Sequence, residues 1–328
     1  MPRWDITTGN LPAQTNALVA LTLPKVQPKV VDAFFKATPF FWWMRDRGRV
    51  FTVDGGDSFE FPIMYDQNPY ARAYQPYEVT DVGPPQGFTN AVYVLAHYRV
   101  PILYSRSAVA RNRGDAQIVN FVDAIMEQAR RSLVNAMNED LWRTSDLGNT
   151  TKLYSMTEMI YEGTQANNTR VIGGIKASDY DWWANKYLDK TSYTDLVEAI
   201  DALWIEVSNG AETPDLALCD TATYRKLETA LREDRRFVNA RAIDFGFDNI
   251  AYKRMTIMYD KSISSSNGVF YMINSDFLKL AIGSDANFRV IAPEYVRDID
   301  AYEGLILVDA QVVTSNRQRL GVLGNAAQ

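Results

Sequence analysis

FEFPIMYDQNPYARAYQPYEVTDVGPPQGFTNAVYVLAHYRVPILY, residues 59–104, is two β-like runs held apart by an insert that breaks all periodicity. In the first run Phe59, Phe61 and Ile63 alternate with polar or neutral positions, the period of a half-buried strand. Asp54-Gly55-Gly56-Asp57 just before it has the composition of a hairpin turn. Residues 66–90 then hold Pro69, Pro76, Pro84 and Pro85, four of the chain's 13 prolines, with Tyr70, Tyr74 and Tyr77 among them. Strand-like sequence resumes over residues 91–104. Two arms and an irregular tip predict a long projecting hairpin. Inserts of this length are uncommon in compact domains and are usually functional or disordered. Prolines stiffen this one, and rigid aromatic side chains supply contact area at low entropic cost. Tyr74, Pro76 and Tyr77 are therefore the leading interface candidates, with Tyr70, Pro84, Pro85 and Phe88 beside them.

Downstream, Asp115 is placed to cap a helix in which Ile118, Val122, Ile125, Ala129, Leu133, Ala136 and Leu141 recur every three or four residues. Glu127 precedes Arg131 by four, and Glu139 precedes Arg143 by four, the favourable orientation. The pattern predicts a helix over 115–144, roughly 45 Å long at 1.5 Å per residue. Its stripe is narrow, which suits a helix lying across a sheet or a neighbour.

Upstream, residues 1–27 are weakly periodic and carry Pro2, Pro12 and Pro24, which reads as an extended arm. Pro28 suits a first helical position, with Val30, Val31, Phe34 and Phe35 behind it. Thr38-Pro39 ends that helix. A second short one carries Phe40, Phe41, Trp42, Trp43 and Met44, a cluster that must be buried in its own subunit or under a neighbour. Trp42 and Trp43 accordingly join the interface candidates.

Residues 145–191 are turn-rich. Ser192-Tyr193-Thr194-Asp195 then fits a capping box, Leu196, Ile200, Leu203 and Val207 form a helical stripe, and Asn209-Gly210 closes it. Residues 215–219 read as a buried strand, and Asp220 as the cap of a helix with Tyr224, Leu227 and Leu231 on one face. Arg232 to Arg236 reads as a solvated helix end. Strands are expected at 250–259, 269–273, 278–282, 288–292 and 305–314.

At 328 residues the chain can hold two packed units, or one with a large insertion. A net charge of −6 without a basic stripe argues against a protein built to grip nucleic acid. One cysteine, Cys219, allows no intrachain disulfide, and with one histidine, His97, the usual His/Cys zinc sites are excluded. No signal peptide is evident, and apolar runs such as residues 39–44 are far too short to span a bilayer. No oriented carboxylate and nucleophile can be assigned to His97, which reads as structural or interfacial. Glu139 and Asp140 point about 100° apart on a helix. Gly55-Gly56 and Gly173-Gly174 lack phosphate-loop spacing. Trp182-Trp183 reads as core. No catalytic, cofactor-binding or metal-binding residue is expected.

Three further segments carry a likeness. They are Ile172-Gly173-Gly174-Ile175 with residues 178–183 (SDYDWW), residues 213–220 (TPDLALCD) with Thr223-Tyr224, and residues 271–280 (YMINSDFLKL). In this order, with the long helix and the loop before it, the chain resembles the major capsid proteins of tailed bacteriophages. The resemblance implies an α+β fold, the tailed-phage major capsid fold shared with herpesvirus capsid floors and encapsulins. It implies an N-terminal arm (1–48), an extended β-hairpin loop (49–112) lying over an adjacent subunit, and a peripheral domain (113–192) built on the spine helix at 115–144. An axial domain (193–289) and C-terminal strands returning to the peripheral domain (290–328) complete it. It further implies self-assembly, as pentamers and hexamers, into an icosahedral head enclosing double-stranded DNA without strong specific binding. Separate scaffolding, portal and decoration proteins are the other implied partners, with no membrane and no cofactor. The place implied is the virion capsid, assembled in the host bacterial cytoplasm. The chain starts almost at the arm, so a scaffold is expected to be separate or already cleaved. Some members cross-link through a lysine in the extended loop, but here none lies between Lys36 and Lys152. Two alternatives stand beside this reading: an encapsulin-like nanocompartment shell, and a soluble α/β enzyme, which no motif supports.

Overall fold

The computed structural model describes residues 38–56, 58–75, 83–84, 87–111, 115–231 and 249–328. The expected arm over 1–37 with its helix from Pro28, and the charged exit at Arg232 to Arg236, lie outside them. In chain order the strands are β1 (Val50–Val53), β2 (Ser58–Met64), β3 (Phe88–Val94), β4 (Ala96–Ser105), β5 (Val171–Ile172), β6 (Ile175–Lys176), β7 (Lys186–Asp189), β8 (Leu216–Cys219), β9 (Asn249–Tyr252), β10 (Met255–Tyr259), β11 (Val269–Ile273), β12 (Leu278–Gly283), β13 (Arg289–Val296), β14 (Ala301–Thr314) and β15 (Leu320–Gly324). The helices are α1 (Pro39–Asp46), α2 (Arg106–Arg111), α3 (Asp115–Leu141), α4 (Met156–Met159), α5 (Leu196–Val207) and α6 (Thr221–Ala230).

Two sheets organise the molecule. The first runs β1-β12-β14-β13, with β4 on the other edge of β14. The length of β14 makes this possible: it pairs β4 over residues 301–310, and on its opposite edge β13 first and β12 from residue 310 onward. Helix α3 lies across one face. Even-numbered residues of β4 turn toward it, so that Tyr98 Oη donates to Asp140 Oδ2 at 2.8 Å and Tyr104 packs edge-on to Phe121. On the helix Met126, Ala129, Leu133, Val134, Met137 and Leu141 are buried. Ala136, expected in that stripe, is exposed. The helix ends at Leu141, and Trp142 leaves it to donate from Nε1 to Asp260 Oδ2 at 3.1 Å.

The second sheet runs β7-β15-β11-β8-β10-β9. Helices α5 and α6 cover one face, over Ala217, Cys219, Ile257, Phe270, Met272 and Leu323. The other face, with Leu218, Met258, Tyr271, Ile273 and Val322, belongs to the main core. Burial on both sides explains why these strands are continuous apolar runs and do not alternate. The TPDLALCD segment is this sheet's anchor. Asp220 caps α6 through Ala222 N–H (2.9 Å) and also accepts Val269 N–H (2.9 Å). Asp215, at the strand's other end, accepts Ser275 N–H at 2.8 Å and Trp43 Nε1–H at 3.2 Å. Burial pushes the Cys219 thiol up, as expected of an inert core residue.

Several expectations are corrected. There is no hairpin about residues 54–57: β1 pairs β12 in parallel, while β2 pairs β3. Gly55 and Gly56, both at positive φ, carry the chain out of one sheet and into the projecting ribbon. The strand-like run at 91–104 is split at Leu95, and its second half is β4, so His97 sits in the five-stranded sheet. Gln311 holds that break open, donating to Val94 O at 2.8 Å and accepting Tyr154 N–H at 2.7 Å. Strand β12 already lies in the five-stranded sheet, and β15 returns to the six-stranded one. The second crossing carries Arg317, fully buried, which donates to Met159 O at 3.0 Å; burial pushes its guanidinium down to about 10. Helix α5 is capped by Asp195 and not by Ser192, and Gly210 sits in the turn beyond its end.

Trp42 and Trp43 are corrected too. Both are buried within α1, whose first six residues, Pro39 to Met44, are all apolar and all enclosed. Trp43 spends its N–H on Asp215. Neither has surface left for a neighbour.

Candidate assembly interface

The ribbon of β2 and β3 presents two unlike faces. Inward, Phe59 and Phe61 meet Phe51 edge-on, and Phe59 stacks on Tyr93 at 5.9 Å. Tyr93 Oη donates to Thr314 O at 2.8 Å, and burial pushes its phenol well above the usual range. These contacts fix the ribbon's root and its orientation.

Outward, the paired positions are Met64 with Phe88, Pro62 with Asn90, Glu60 with Val92, and Ser58 with Val94. Met64 and Phe88 are 70% and 69% exposed, and Val92 and Val94 are exposed beside them. The charge on this face is Glu60, which accepts a hydrogen bond from Asn90 Nδ2 at 2.7 Å. An antiparallel ribbon is expected to be polar on its solvent side. This one exposes Met64, Phe88, Val92 and Val94 there, among Ser58, Glu60 and Asn90, and an exposed apolar patch marks an interaction site.

Of the residues singled out from sequence, Phe88 lies in this face. Tyr74 is 71% exposed in the tip, and Pro84 is exposed there as well. Tyr70 is exposed, while its ring lies so close to Gly83 that a β-carbon there would clash with Tyr70 Oη. Pro76, Tyr77 and Pro85 lie outside the described residues. Sequence reasoning missed Met64, Val92 and Val94. The signal was present: apolar residues at both parities of one strand pair.

The Gly173-Gly174 turn between β5 and β6 braces the root. Gly173 O accepts Val92 N–H at 3.0 Å, and a β-carbon on Gly173 would come within 2.7 Å of Ala91 Cβ. Both glycines have positive φ, +61° and +79°, but a β-carbon on Gly174 would meet nothing within 4 Å. Gly173→Val should therefore destabilise the subunit by about 2–3 kcal/mol, and Gly174→Ala by only about 1 kcal/mol. Thermal melts of the two variants test this, and equal losses would show that the contact with Ala91 does not matter. Tyr65 stacks on Trp182 at 4.8 Å, so Trp182 supports the ribbon, while Trp183 is core and donates to Ile172 O at 3.0 Å.

A cleft of about 420 Å³ opens where the ribbon joins the first sheet, between Gly55-Gly56, Leu95 and Asp285. His97 Nδ1 lies there 2.7 Å from Asp309 Oδ1, a partner that the sequence could not assign. The imidazole is largely exposed, and no hydrogen bond joins it to a hydroxyl or thiol among the described residues. Nor do they contain a group of three or more His, Cys, Asp or Glu residues placed to hold a metal ion, or a helix long and apolar enough to cross a membrane.

No family model matches the sequence, and no curated protein matches it. Solved structures do. The chain is similar to the capsid asymmetric unit of cyanophage A-1(L) at 12% identity and a TM-score of 0.60, covering 87% of this chain and 93% of that one. It is similar to a virus-like particle from Pyrococcus furiosus at 12% identity and a TM-score of 0.52, with 92% and 98% covered. It is also similar to the capsid of a native GTA particle at 11% identity and a TM-score of 0.51, with 98% and 94% covered. At such identities the likeness shows the fold: the chain is α+β and has the phage major capsid fold.

Proposed function

We propose that the chain is a shell subunit, the major capsid protein of a tailed phage, assembling with copies of itself into an icosahedral head around double-stranded DNA. The observation that carries this is the ribbon with an apolar inner face and an exposed apolar patch, Met64, Phe88, Val92 and Val94, on its outer one. One face holds it to its own subunit, and the other is left for a neighbour. In this reading the five-stranded sheet with α3 is the peripheral part and the six-stranded sheet with α5 and α6 the axial part, whose tips meet in pentamers and hexamers. Many modest contacts then sum to a stable shell, and closed symmetry leaves no unsatisfied edge. The net charge of −6 suits a container that does not adhere to its packed genome. Portal and decoration functions fall to separate proteins, and the mature location is the virion.

Electron microscopy of the concentrated protein tests the reading. The expected result is closed icosahedral particles. A chain that stays monomeric at high concentration overturns it, and particles filled with a protein cargo would favour the nanocompartment alternative over a DNA-containing head.

A further inference from the structure

We propose that the cleft where the ribbon joins the five-stranded sheet binds a small aliphatic amine. The site stands apart from the shell reading, which gives this cleft no role.

Val53, Val94 and Leu95 supply the apolar part of its lining, and Ser284, Asp285, Asp309 and His97 the polar part. A volume of about 420 Å³ lies in the range of small-molecule sites, which join apolar walls to a few fixed polar groups. The walls are held in place. Ser284 N–H donates to Val53 O at 3.0 Å, which ties the end of β12 to β1. Asp309 N–H donates to Ala286 O at 3.2 Å, which ties the same loop to β14. Phe288 anchors the loop's far end, fully buried with φ at +50°. A bulky residue keeps that backbone conformation only where its surroundings enforce it. Gly283 keeps the wall clear, because a β-carbon there would stand 3.1 Å from Asp309 Cβ and 3.4 Å from Leu95 Cδ1.

Charge selects the ligand. Asp285 is exposed and has no hydrogen-bond or ion-pair partner among the described residues. Asp309 spends Oδ1 on His97 Nδ1 at 2.7 Å. No lysine or arginine among the described residues lies within ion-pair distance of either carboxylate. Two carboxylates on one cleft without a counter-charge favour a cation. A metal ion is the poorer match, since the described residues place no group of three or more ligating side chains together. An ammonium brings three donors for the carboxylates and the Ser284 hydroxyl. Its aliphatic stem lies along Val53, Val94 and Leu95, as the stem of a lysine does on an apolar surface.

His97 is the chain's one histidine, so its imidazole Cε1–H gives a single NMR resonance beside the proposed site. The full chain, kept below assembly concentration, is titrated with butylammonium at constant pH and ionic strength. The resonance should move along a saturable curve with a Kd of about 1–10 mM, and n-butanol should leave it in place. Asp285→Asn should weaken binding at least about fivefold with an unchanged melting curve, because the lost partner is a charge-assisted one. Ser284→Phe, which puts a ring into the cleft, should abolish binding. A shift that stays linear in concentration, an equal shift with n-butanol, or an affinity unchanged by Asp285→Asn overturns the proposal. Tighter binding of Nα-acetyl-lysine methylamide than of butylammonium would give the cleft to a protein side chain, which also overturns it. None of these outcomes depends on whether the chain forms particles.

Discussion

Replacing Met64 and Phe88 together with aspartate abolishes particle formation and leaves a folded subunit. Both side chains are about 70% exposed and directly paired across the ribbon, so the change removes no internal contact of consequence. In a shell each would be buried under a neighbour, where an apolar side chain of this size contributes about 1.5–3 kcal/mol. Two aspartates put unpaired charge into the same site in every copy, and the penalty repeats at every contact. Sedimentation velocity reads the outcome: particles from the parent chain, a single slow species from the variant, with the same melting curve below assembly concentrations. Normal particles from the variant would remove the ribbon from the assembly contact.

The largest stability effect is expected at Glu158. Both of its carboxylate oxygens accept from Arg143 Nη2, at 3.0 and 2.9 Å, with both side chains buried. It also accepts Ser155 N–H at 2.9 Å as the returning half of the capping box of α4, together with Gly148 N–H. Arg143 continues the network to Leu153 O at 2.9 Å. Glu158→Ala leaves the buried guanidinium with only the more distant Asp140 carboxylate, 4.0 Å away, as counter-charge, and about 3 kcal/mol is the expected loss, the low end for a broken buried pair. Urea unfolding in the Met64→Asp, Phe88→Asp background, which keeps the subunit single, measures it. Replacing Arg143 and Glu158 together with methionine should recover most of the loss, because no charge then stays buried unpaired. A loss below about 1 kcal/mol for the single change would mean that water reaches this pair.

Much of this was legible in the chain. The alternation of Phe59, Phe61 and Ile63 gave the inner face of β2, and the stripe from Ile125 to Leu141 gave Ala129, Leu133 and Leu141 of the buried face of α3 but not Met126, Val134 or Met137. Asp220 was readable as a cap because capping is a contact between residues two or three apart. The long insert with its prolines pointed to the ribbon before any partner was known. The failures share a cause. The turn composition at 54–57 is genuine, but composition cannot say whether a turn joins two paired strands or two sheets. Trp42 and Trp43 read equally well as core or as interface, since burial by one's own chain and by another leaves the same local signature. Met64 was passed over because its neighbours already supplied a complete inward face.

Local order along the chain, then, set many of the elements: the helices after Asp115, Asp195 and Asp220, which parity of β2 faces a core, and that one segment stands out from the rest. Those are decided within a few residues by backbone period, capping and turn chemistry. The pairing of β1 with β12, separated by over 200 residues, the division of strands between the sheets, and the juxtaposition of His97 with Asp309 emerged only in three dimensions. They depend on which surfaces fit when distant segments meet, and that fit is a property of the packed whole that no local window contains.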